Sequence, residues 1–161
     1  MIYTAQIAVA SVRARDLAPF LREALSHERD HQAKFRALMP DRNGKPCRLM
    51  WIWTIGGASL GLMSALLGRE AILACTQAVE RTVHRHLDEQ IAWTATRDPE
   101  LHRTILDIQA EELAHLDFAI RNRRSDGLVW LDRLISTATE ALIVVSTRGD
   151  SRRLAKELAN G

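Results

Sequence analysis

The spacing Glu-x-x-His occurs at Glu28–His31 and again at Glu112–His115. On a helix, residues three apart share a face, so one carboxylate and one imidazole can reach a common ion. Both pairs interrupt stripes that are otherwise apolar. Leu17, Leu21, Ala24, Glu28, His31, Phe35 and Leu38 follow one 4-3 pattern, and Leu101, Ile105, Ile108, Glu112, His115 and Ala119 follow another. A third stripe of Leu73, Thr76, Glu80, Val83 and Leu87 carries a single intruder, Glu80. A lone buried carboxylate is costly, and several that converge repel one another unless a cation lies among them. Carboxylate and imidazole donors together suit iron or manganese.

Two Glu-x-x-His motifs, with one Glu from each of two further helices, make the donor set of a two-metal helical bundle. Glu28, His31, Glu80, Glu112 and His115 supply five of its six members. Glu111 falls off the stripe and reads as more exposed. His27, His84, His86 and His102 also lie off the stripes and read as surface residues, with His86 the one candidate to support a ligand. The sixth donor should be a Glu on the first helix, and that helix has none. Asp16 stands about twelve residues from the level of Glu28, roughly 18 Å along a helix, which is too far. Mirroring Glu28 across the turn lands near Met1 to Gln6 or just upstream. The first helix also begins without a capping residue, which leaves its first N–H groups to water. The expectation is that the missing ligand lies ahead of Met1.

These donors need long helices to hold them, and the breaks in the chain leave room for such helices. "RDLAP" (15–19) offers Asp16 as a cap with Pro19 in the following turn, and "RDPE" (97–100) offers Asp98 with Pro99. "PDRNGKP" (40–46) is the strong loop, Gly68 ends a helix, and "RSDG" (124–127) precedes the last long segment. Six helices are predicted, at about 1–14, 17–39, 47–67, 69–96, 99–122 and 128–146, followed by a frayed basic tail, with no strand. Residues 1–147 form the bundle and 148–161 the tail.

The chain has 161 residues, 47% of them hydrophobic and 26% charged, enough for one domain with a real core. A net charge of +2 gives nucleic-acid binding no bulk electrostatic support, and none is expected. Basic residues gather at Arg121, Arg123 and Arg124, and again at Arg148, Arg152, Arg153 and Lys156; such groups are solvated faces or suit an anionic membrane. Cys47 and Cys75 sit in no CxxC pattern and read as structural thiols in a reducing compartment. No signal peptide is recognisable at the start.

"LMWIWTIGGASLGLMSALLG" (49–68) carries no charge over twenty residues, with Trp51 and Trp53 together at one end. It reads as a helix embedded in a membrane surface, with a buried core helix and a full span as the alternatives. "LVWLDRLISTATEALIVV" (128–145) is amphipathic and could lie beside it.

"SHERDHQAKF" (26–35), "SALLGREAILACTQAVE" (64–80), "AEELAHLDFA" (110–119) and "IYTAQ" (2–6) together resemble the demethoxyubiquinone monooxygenases of ubiquinone biosynthesis. The resemblance runs to about residue 148. It implies an all-α, ferritin-like four-helix bundle core with two additional apolar or amphipathic helices that associate with a membrane. It also implies two iron ions. Glu28 and Glu112 would bridge them, His31 and His115 would hold one each, and Glu80 would bind terminally beside His115. O2 is the implied co-substrate, NADH the candidate reductant and a long-tailed demethoxyubiquinol the substrate, reached through an apolar channel walled by 49–68 and 128–145. The implied location is peripheral, on the cytoplasmic face of a bacterial inner membrane or the matrix face of the mitochondrial one, in a homo-oligomer or a biosynthetic complex. Arg81, Leu87 and Val144 depart from the family pattern, where Glu, Tyr and Tyr are usual. The absent first-helix Glu suggests an alternative, a silent paralogue that binds quinone or assembles partners. A ferritin-like storage protein fits the ligands but not the apolar 49–68 stretch.

Overall fold

The structure, a computed structural model, describes residues 1–125 and 127–160. Seven α-helices follow one another: α1 (Ile2–Arg13), α2 (Ala18–Leu38), α3 (Met50–Leu67), α4 (Arg69–Thr94), α5 (Pro99–Asn122), α6 (Val129–Ser146) and α7 (Asp150–Ala159). No strand occurs among the described residues. The all-α expectation holds.

The two expected caps behave differently. Asp98 accepts a hydrogen bond from the Leu101 amide at 3.0 Å and Pro99 opens α5, so one orphan donor of the helix start is satisfied as expected. Asp16 does not cap α2, because a 3-10 turn at Arg15–Leu17 intervenes and its carboxylate turns away. It accepts instead from Arg69 Nε at 2.7 Å, tying the start of α2 to the start of α4.

Helices α1, α2, α5 and α4 are successive neighbours around a four-helix ring, with α4 against α5 the most extensive pairing. α3 lies outside on α1 and α4, and α6 packs on α4 beside α3. Two apolar clusters fill the ring. The one near the α1–α2 turn gathers Tyr3, Leu17, Phe20, Leu21, Ile72 and Leu73; the other, toward the opposite end, gathers Leu87, Ile105 and Ile108. Between them Glu80, Glu112 and His115 form a buried polar layer.

The basic tail is not frayed. Gly149, at φ 82°, turns the chain, and α7 then packs on the lower half of α4 and the end of α6. Its half-buried side, Ser151, Leu154, Ala155 and Leu158, recurs at helical spacing. The short sequence obscured this because ten residues with mixed charge form a helix only when a neighbouring surface buries one side.

α1 approaches α3 closely where α3 carries Gly57 and Gly61. A Cβ on Gly61 would stand 2.4 Å from the Ile2 carbonyl oxygen and 3.0 Å from Ala5 Cβ, so backbone would have to move. Gly61→Ala is expected to destabilise the fold by about 1–3 kcal/mol, read from the urea midpoint, because overpacking here pushes α1 outward. An unchanged midpoint would mean that α1 does not dock on this face.

Candidate metal centre

Each Glu-x-x-His pair projects from the middle of its helix. Glu112 and His115 on α5 are both buried, as are Glu80 on α4 and His31 on α2. One atom each from Glu80, Glu112 and His115 lies within 4.8 Å of the other two. Glu112 joins both imidazoles, with Oε1 3.0 Å from His31 Nδ1 and Oε2 3.2 Å from His115 Nδ1. The expected convergence of two helices' motifs on one point is therefore present.

Glu28 is placed differently from the rest. Protein surrounds it closely enough that Glu112, Tyr3 and Glu80 feel its charge, yet its side chain keeps open access to solvent. It makes no hydrogen bond or ion pair among the described residues. α1 begins at the level of Glu28, and the Met1 ammonium is near enough to act on this carboxylate. The mirror relation across the α1–α2 turn is thus correct. Ile2–Arg13 contains no Asp or Glu, so α1 brings no carboxylate to the cluster.

Three residues join the site without having been expected there. The Tyr3 hydroxyl donates to Glu80 Oε1 at 2.5 Å. His27 stacks on His115 with ring centroids 5.2 Å apart, and its Nδ1 lies 3.0 Å from His115 Nε2. Glu111 reaches back to His31 Nε2 at 3.0 Å and to Lys34 at 3.6 Å. His27 therefore is half-buried and not a surface residue. A flank position beside each stripe was the available signal, since a ring or long side chain there can swing across to the next helix. Tyr3 is the only tyrosine in the chain, but nothing local marks where its hydroxyl points. His86 is buried and pairs with Glu89 at 3.2 Å and Glu140 at 3.0 Å, with no contact to the five candidate ligands among the described residues.

The electrostatics of the cluster follow from its burial. Burial, then repulsion from Glu112, pushes Glu80 well above the ordinary carboxylate range. Burial would raise Glu112 too, but hydrogen bonds with His115 and His31, and then with Glu80, hold it low. His31 is opposed by burial but raised by Glu112 and Glu111. Burial, then Glu80, lifts the Tyr3 phenol far above its usual range. Buried acids and imidazoles brought this close together form a donor set that suits a cation. Tyr3→Phe is expected to cost about 1–2 kcal/mol of stability in urea denaturation, because Glu80 loses its one hydroxyl partner.

Below the polar layer, a cavity of about 600 Å³ opens between Phe35, Trp93, Leu101, Ile105, Ile143 and Leu154. Phe35 is one turn beyond His31, and none of the five candidate ligands lines the cavity. α7 closes one side of it, through Leu154 among others, and α3 contributes none of its walls. The expected channel wall at 49–68 is therefore not part of this cavity. α3 packs on α1 and α4, with Gly57, Gly61, Ser64 and Ala65 its buried residues.

The family model described as "Ubiquinone biosynthesis protein COQ7" matches residues 1–146. The chain is 33% identical over 152 residues to the mitochondrial NADPH-dependent 3-demethoxyubiquinone 3-hydroxylase of Dictyostelium discoideum, covering 91% of this chain and 69% of the relative. The corresponding Mus musculus protein is 32% identical over 153 residues, with 91% and 70% covered. The 3-demethoxyubiquinol 3-hydroxylase of Rhodospirillum rubrum is 34% identical over 149 residues, again with 91% and 70% covered. Helix α7 lies beyond the residues that the family model matches. With a buried Glu/His layer inside a helical bundle and similarity along nearly its whole length, the chain belongs to the COQ7 family of ubiquinone biosynthesis proteins.

Proposed function

We propose that this protein is a 3-demethoxyubiquinol 3-hydroxylase that works through two iron ions. The observation that carries the iron reading is Glu112, a buried carboxylate whose two oxygens face the imidazoles of His31 and His115 on two neighbouring helices. A carboxylate so placed would hold metal on both of its oxygens. Glu80 and His115 would share one ion, and His31 with Glu28 would serve the other. When bound, ferrous iron supplies electrons to O2, so that one oxygen atom enters the quinol ring and the other leaves as water.

The chain's own residues do the rest. Tyr3 holds Glu80 in one orientation by its hydroxyl, and the apolar clusters above and below keep bulk water from the layer. The apolar cavity beside Phe35 is large enough for a quinol ring and the first part of its tail. O2 is the co-substrate. The names of the Dictyostelium discoideum and Mus musculus relatives carry NADPH, so the nicotinamide donor is NADPH or the NADH expected above. A scaffold role gains no support, since the relatives carry hydroxylase names.

A water-insoluble tail also requires a route from a bilayer. Trp51 is 61% exposed, Trp130 is 56% exposed, and Ile55, Leu62 and Leu134 add to the same uncovered apolar surface of α3 and α6. α3 is long and apolar enough to cross a membrane by length and composition, but an embedded surface helix fits its packing on α1 better. The protein would sit peripherally on the membrane that holds the quinone, on the cytoplasmic face in a bacterium or the matrix face in a mitochondrion.

The test is direct. Iron-loaded protein is given demethoxyubiquinol, isotopically labelled O2 and either nicotinamide donor. Label in the ring of the hydroxylated product is the expected result; substrate recovered unchanged with both donors defeats the proposal.

A further inference from the structure

The apolar surfaces of α3 and α6 end in unpaired positive charge at the same place. On α3 the exposed positions Trp51, Ile55 and Leu62 recur at helical spacing, and Arg48 continues that stripe past the helix start. On the antiparallel α6, Trp130, Leu134 and Val145 form the matching stripe, and Arg148 continues it past the helix end. Both arginines are exposed, and neither side chain has a hydrogen bond or ion pair among the described residues. They flank one hollow of about 510 Å³ with Cys47, Leu49 and Ser146.

The acids that could have neutralised them are occupied elsewhere. α6 carries Asp132, held by Arg123 at 3.1 Å, and Glu140, held by Arg85 and His86. Residues 49–68 carry no charge at all. The outward side of the α3–α6 pair is therefore largely apolar, with Arg48 and Arg148 together at one end and one further exposed arginine, Arg133, toward the start of α6. Two guanidiniums without carboxylates, beside tryptophan and aliphatic side chains, match a phosphodiester at the boundary between headgroup and acyl chains.

We propose that Arg48 and Arg148 form a site for the phosphate of an anionic phospholipid, which sets the end of the α3–α6 pair that faces the charged headgroups. This rests on the membrane reading above and adds to it a lipid charge preference and two residues responsible for it. Binding a headgroup at this end also fixes the orientation in which the molecule sits, with the α2–α3 loop and the α6–α7 turn at the lipid surface.

The purified, iron-loaded protein is sedimented with phosphatidylcholine vesicles and with vesicles that also contain phosphatidylglycerol. Tighter binding to the anionic vesicles is expected. Arg48→Gln and Arg148→Gln should each remove about 5-fold of that preference and the double variant about 30-fold, at about 1 kcal/mol per basic residue near an anionic surface. Binding to phosphatidylcholine alone should persist in all of them. Trp51→Glu with Ile55→Glu should weaken binding to both kinds of vesicle. Wild-type binding that is equal on the two vesicles, or a double variant with an unchanged preference, overturns the headgroup site but leaves the membrane reading standing. Wild type that binds neither vesicle overturns both.

Discussion

Glutamine in place of Glu112 is expected to remove hydroxylation almost completely, by more than about 100-fold, the scale that even supporting residues of metal sites reach when changed. The side chain keeps its shape and volume, so the helix and the apolar clusters on either side should stay intact. What changes is the donor set. A carboxylate can offer an oxygen to each of two partners at once, as Glu112 does toward His31 at 3.0 Å and His115 at 3.2 Å. An amide presents one oxygen and one N–H group, which cannot serve a cation on its second side. Iron bound per chain should fall together with product formed per minute. Glu111→Gln provides the contrast, since Glu111 meets His31 at its outer nitrogen, has Lys34 beside it and is partly solvated; its loss should stay within about 10-fold. Full activity of Glu112→Gln would remove Glu112 from the site and end the two-iron proposal.

Ferrous iron is expected to raise the thermal midpoint by about 10 °C. A ligand at a thousand times its dissociation constant adds about 4 kcal/mol to the folded state, and a chain of this size gains about 2–4 °C for each kcal/mol. The reason lies in the layer itself, where burial and the Glu112 charge both oppose the ionisation of Glu80. Iron competes with protons for that carboxylate, so binding releases protons and weakens as the pH falls. The sign is fixed by the raised position of Glu80: the midpoint shift should be larger at about pH 7.5 than at about pH 6. Calorimetry under anaerobic conditions reads both effects. Glu80→Gln should lose most of the shift, and an equal shift in that variant would place the stabilising iron on surface acids.

Much of this centre could be read from residue spacing because a helix converts spacing into direction. Glu112 and His115 had to share a face with Ile105 and Ile108, so burying the isoleucines buried the ligands as well. Glu80 followed from Leu73 and Leu87 in the same way. Glu28 obeyed the same rule and still came out accessible, because burial also needs side chains from a facing helix to cover it. His27 and Glu111 escaped for the converse reason. Each stands off its own stripe, but the neighbouring helix passes close enough for the side chain to swing across to His115 and His31.

The sequence by itself determined the helical class, the Asp98 cap, the two Glu-x-x-His faces with the Glu80 stripe, and the uncharged 49–68 segment. All of these depend on neighbours within a few residues, where covalent geometry sets direction. Only the tertiary structure decided that Tyr3 holds Glu80, that α7 folds back as a wall of the cavity, and that Arg48 and Arg148 meet across a hundred residues of chain at one end of an apolar face. Those contacts join segments distant in sequence, and their positions follow from how the helices pack.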